Sequence, residues 1–145
     1  MRRSLLTLAM VVGLGAVDAP AQGCTRADFE TAVTEAAQAL RDLNQANKPA
    51  FQAKLRQLKT KRGWSHDQFL AEAAPIVQDQ RIAAYDEKSA AFLERIERLG
   101  AEGTSAASPD CARLLEVRQS MTSLVTVQKE KWAYMFERIG AELAR

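Results

Sequence analysis

Histidine occurs once in this chain, cysteine twice and proline four times, and aromatic residues make up only 6% of it. Each scarcity excludes something. His66 beside Asp67 is not a ligand set, because structural zinc sites take four nitrogen or sulfur ligands. There is no Cys-x-x-Cys-His for covalent haem and no Glu-x-x-His pair of the di-iron kind. No glycine-rich phosphate loop follows a strand, and the sole histidine lies in no recognisable Ser-His-Asp or Cys-His arrangement. The expectation is a non-enzymatic protein without metal or cofactor. No stretch alternates apolar and polar residues with the β-branched and aromatic enrichment of a strand. Net charge is scarce too, at +2, so only a local patch can attract a charged partner.

What is present begins with the first 21 residues. Arg2-Arg3 leads into an uncharged, mostly apolar run from Ser4 to Val17, followed by Ala19-Pro20-Ala21. This has the charged, apolar and A-x-A regions of a secretory leader. The run falls short of the about 20 apolar residues that a membrane-spanning helix needs. The reading is a cleaved leader over 1–21 and one domain over 22–145, periplasmic or secreted, with no span in the mature chain. Loss of Arg2, Arg3 and Asp18 leaves that mature chain at +1. Outside the cytoplasm Cys24 and Cys111 can oxidise to a disulfide. Lipid attachment at Cys24 is the competing fate. Gly23 before it suits a lipoprotein leader, but Gln22 is a poor fit and the expected upstream Leu is missing.

Ala, Leu, Glu, Gln, Lys and Arg dominate the rest, and all are good helix formers. Three long segments emerge, 26–62, 65–99 and 109–144. Thr25 caps the first, with Asp28 in its positive first turn. Phe29, Val33, Ala36, Leu40 and Leu43 recur at helical spacing, Pro49 kinks or restarts the helix, and Phe51, Leu55 and Leu58 continue to a stop at Gly63. Ser65 with Gln68 forms a capping box for the second segment, with Trp64 and Phe69 in staple positions. Leu70, Ala73, Ala74 and Val77 follow, with Pro75 among them as a further kink or restart, and Ile82, Tyr85, Ser89, Phe92, Ile96 and Leu99 continue beyond it. Gly100 marks the end, and 101–108 reads as a linker.

Ser108-Pro109-Asp110 opens the third segment with a cap, a proline and an acid. Leu114, Met121, Val125, Trp132, Met135, Ile139 and Leu143 mark its buried side, and Tyr134 falls off that stripe. Equal lengths and short connections predict an all-α, up-down-up antiparallel bundle of three long, proline-kinked segments with one disulfide. A reversal at Pro49 would put the last helix start at the opposite end from Cys24. Disulfides need Cα atoms within about 7 Å, so a Cys24–Cys111 bridge favours three segments over four alternating helices.

Lys48, Lys54, Arg56, Lys59, Lys61 and Arg62 form an acid-free basic stretch that ends at Trp64. On a helical wheel Lys48 and Lys59 flank the Phe51, Leu55 and Leu58 stripe on one side and Lys54 and Lys61 on the other, a layout that suits an anionic membrane surface with Trp64 at the interface. The competing reading packs this helix on the second segment, where Asp67, Glu72, Asp79, Asp86, Glu87, Glu94 and Glu97 offer complementary charge. Export separates the chain from nucleic acid. The expected role is therefore binding of an envelope protein or anionic envelope surface. A small-ligand or metal carrier with a pocket in the bundle core is the alternative.

Overall fold

The computed structural model describes residues 23–145, so the expected leader over 1–21 lies outside the described residues. The described chain is all-helical: α1 (Arg26–Arg62), α2 (His66–Val77), α3 (Gln80–Ser105) and α4 (Cys111–Ala144). No helix among them is long and apolar enough to cross a membrane.

The helix starts follow from local chemistry. The Thr25 hydroxyl accepts the Asp28 N–H while the Asp28 carboxylate accepts the Thr25 N–H, a reciprocal box built with aspartate. Ser65 and Gln68 make the same exchange at α2. Gly63 closes α1 with φ +64°, a left-handed value that costs glycine little. At α4 the cap is Asp110, whose carboxylate accepts the Ala112 N–H, so the helix starts later than the expected Ser108 cap.

Pro49 neither restarts nor ends a helix: α1 runs unbroken through it for 37 residues. Phe51 and Leu58 beyond it are buried, and burying large side chains at about 1.5–3 kcal/mol each offsets the hydrogen bond that proline removes. The Asn47 side chain donates to the Leu43 carbonyl at 2.8 Å, two residues before the proline and inside the helix. The second segment, in contrast, is two helices. Pro75 sits inside α2, and the break falls at Gln78–Asp79, where Asp79 caps α3 by accepting the Ile82 N–H at 2.7 Å. A carboxylate that can satisfy a free N–H makes a helix start there favourable.

The expected stop at Gly100 and the linker from 101 are also displaced, because α3 continues to Ser105. Gly100 and Gly103 are both buried there. A Cβ at Gly103 would collide with the Phe29 ring, and one at Gly100 would meet Val33 Cγ2 at 2.8 Å. These glycines form a notch one turn long that admits α1, rather than a helix terminus.

Side-chain bonds give the order of packing. Between α3 and α4 the pairs are Asp79–Arg138, Asp86–Lys131, Arg95–Glu116 and Glu102–Arg113, so numbers rise on one helix as they fall on the other. Between α1 and α4 they rise together. Cys24 and Cys111 are bridged at the starts with Cα atoms 5.4 Å apart, and Arg62 pairs with Glu142 at the ends.

Two apolar clusters fill the interior. Phe29, Ala32, Ile96, Leu99, Leu114, Val117 and Leu124 lie toward the disulfide. Phe51, Leu58, Ile76, Ile82, Met135 and Ile139 form the other, ringed by aromatic side chains. Leu70, expected on the buried side of α2, is 57% exposed; α2 buries only Ala73 and Ile76.

Candidate interaction face

The C-terminal half of α1 and the turn after it carry all seven residues of the expected face. Their apolar stripe points into the protein. Phe51 is 4% exposed and Leu58 is fully buried. The Phe51 ring meets Trp132 and Phe136 of α4 edge-on at 5.9 and 5.5 Å, a favoured aromatic geometry. Leu55 and Trp64 pack against the same cluster. In this conformation the stripe is core, not a surface for insertion into lipid.

The basic side chains divide into two sets. Lys61 and Arg62 are engaged with the end of α4: Lys61 Nζ donates to the Leu143 carbonyl, and Arg62 donates to the Glu142 carbonyl while pairing with its carboxylate at 3.4 Å. Cations beside the last carbonyls of a helix complement its negative end. This pairing with α4 replaces the expected one with acids of the second segment. Lys59 lies over the Phe69 ring of α2, 5.6 Å from its centroid. Lys48 and Arg56 are exposed and Lys54 half-buried. None of these three makes an ion pair with another described residue.

A second polar constellation, without a local sequence pattern, forms where α2 gives way to α3. Besides capping α3, Asp79 accepts a hydrogen bond from the Tyr134 hydroxyl at 2.6 Å and from Arg138 Nη1. The Arg81 guanidinium stacks over Tyr134, 4.4 Å from its centroid. Tyr134 is thus half-buried and bonded, not simply left off the core stripe. The Tyr134 hydroxyl and then the Ile82 N–H hold the Asp79 carboxyl below its usual range. The anionic partner, assisted by burial, raises the Tyr134 phenol. Aspartate and tyrosine 55 residues apart carry no local pattern, so only the fold reveals the pair.

His66 is exposed in the first turn of α2. No group of three His, Cys, Asp or Glu side chains able to hold a metal lies together among the described residues. The hollows between helices are open grooves. One of about 380 Å³ runs between α1 and α4 over Met121 and Val125, bordered by Glu35, Arg118 and Lys129. Cys24 and Cys111 sit together as a bridge at the opposite end from the basic half of α1. No family model, curated protein or solved structure matches the chain.

Proposed function

We propose that this is an exported, non-catalytic protein, periplasmic or secreted, that binds an anionic partner in the cell envelope through the basic half of α1. In this reading α2 and α3 act as one descending limb between α1 and α4, an up-down-up antiparallel bundle. The bundle is a scaffold for α1, and its bridge suits an oxidising compartment.

One observation carries the reading. From Leu43 to His66 the chain has no acidic residue, and Lys48, Lys54 and Arg56 have no ionic partner among the described residues. Lys61 and Arg62, by contrast, are held at the end of α4 by the Leu143 carbonyl and by Glu142, which leaves Lys48, Lys54 and Arg56 available to an anion. Because Phe51 and Leu58 are committed to the core, the attraction is ionic, and salt screens it.

Purified mature protein mixed with envelope fractions and sedimented at low and high salt tests the proposal. Co-sedimentation at low salt, weakened at high salt and lost in the triple charge reversal of Lys48, Lys54 and Arg56 to Glu, is the expected result. Co-sedimentation that survives the reversal, or none at any salt, overturns it. Intact mass of the exported species should show a chain beginning at Gln22.

A further inference from the structure

Along one face of α1, from Arg41 onward, four cations are arranged in a line. Arg41, Gln45, Lys48, Gln52, Arg56 and Lys59 recur at steps of three and four residues, the spacing that keeps side chains on one face of a helix. All are exposed except Lys59, which is half-buried. At 1.5 Å per residue the row is about 27 Å long. Pro49 does not interrupt it, since α1 is continuous there. None of the four cations belongs to an ion pair among the described residues.

We infer that this row is a binding track for a linear polyanion, specifically a sugar chain bearing phosphate, sulfate or carboxylate groups. The inference rests on the anionic-partner reading above and names the partner. Three features favour a chain over a bilayer. An amphipathic helix holds a membrane by burying its apolar face at the headgroup boundary, and here that face is in the core. The cations form a single row, which matches charges strung along a polymer. The amides of Gln45 and Gln52 lie between them, and each both donates and accepts hydrogen bonds, as sugar hydroxyls require. Successive cations at Arg41, Lys48 and Arg56 stand roughly 10–12 Å apart along the axis. A densely charged chain bound there would release counterions, giving steep salt dependence.

The test uses the mature protein with heparin as the polyanion probe, and phosphatidylglycerol vesicles as a bilayer. Lys48→Glu/Arg56→Glu reverses two charges on the row. Lys88→Glu/Lys129→Glu makes the same net change at exposed positions outside α1, and circular dichroism verifies that both variants fold. The expected result is heparin binding that falls about tenfold or more in the row variant, and far less in the off-row variant, with a shallower salt slope for the row variant. Equal losses in the two variants would show a response to net charge alone and overturn the inference. So would vesicle binding without heparin binding, or capture only of an acidic protein from envelope extract. If envelope fractions bind but heparin does not, the polyanion inference fails while the broader proposal stands. If neither binds, both fail.

Discussion

A methyl group added at Gly103 would come within 2.5 Å of three ring carbons of Phe29, which is fully buried. At Gly100 the same methyl meets only Val33 Cγ2, at 2.8 Å, and at Gly140 it meets nothing within 4 Å. Replacing helical glycine by alanine gains about 1 kcal/mol of propensity, whereas overpacking a core costs about 1–3 kcal/mol. The signs therefore separate. Gly140→Ala should raise the urea midpoint, Gly100→Ala should change it little, and Gly103→Ala should lose about 2 kcal/mol. A stabilised Gly103→Ala would mean that α1 does not sit in the notch.

The Asp79 carboxyl offers a second residue-scale test, in pH. Its folded pKa lies below the unfolded 3.8, so the unfolded chain takes up the proton first as the solution is acidified. Its contribution is complete above that value and disappears as pH falls through the lower folded value. Asp28, held down chiefly by the Thr25 N–H and then the Thr25 hydroxyl, acts in the same direction. Asp79→Asn should lower stability near neutral pH and converge on the unmodified protein in acid, as followed by denaturation across an acid series. A constant gap at all pH values would remove the charge from the explanation.

Among the elements, α1 poses the sharpest contrast between pattern and packing. Pro49 has no N–H to offer the Gln45 carbonyl, and a local rule breaks the helix there. Phe51 and Leu58 hold it together through contacts with α4 that no local rule contains. If packing overrides the proline, Pro49→Ala should stabilise by about 1–3 kcal/mol in thermal or chemical denaturation. A loss would instead show that proline's restriction of the unfolded chain outweighs the missing bond. Caps were legible because they involve residues three apart, as at Thr25 and Ser65. The Gly100–Gly103 notch was not, since glycine near a helix end reads as a stop until Phe29 is seen filling it. The basic row was legible as charge, but the same periodicity suits an apolar stripe facing lipid or one facing α4.

For the whole molecule, the bridge joins residues 87 apart. In the loop-entropy account, a closure of that size contributes about 4–5 kcal/mol. Cys24→Ser/Cys111→Ser should retain helical circular dichroism and melt at a lower temperature, and reductant should reproduce the shift in the unmodified protein. The pairing was readable from the sequence, because two cysteines leave one partner each. The Asp79–Tyr134–Arg138 junction was not, because its members come from separate helices.

The bridge also sets the path that a pull would take. Tension applied between Gly23 and Arg145 enters at Cys24, crosses to Cys111 and runs along α4, bypassing α1, α2 and α3. In the oxidised chain only the α4 stretch could be drawn out, to roughly 120 Å at about 3.5 Å per residue. The looped residues would stay slack until a reductant released roughly 300 Å more. In a stretching experiment the basic row would therefore carry no load, because it lies inside the covalent loop.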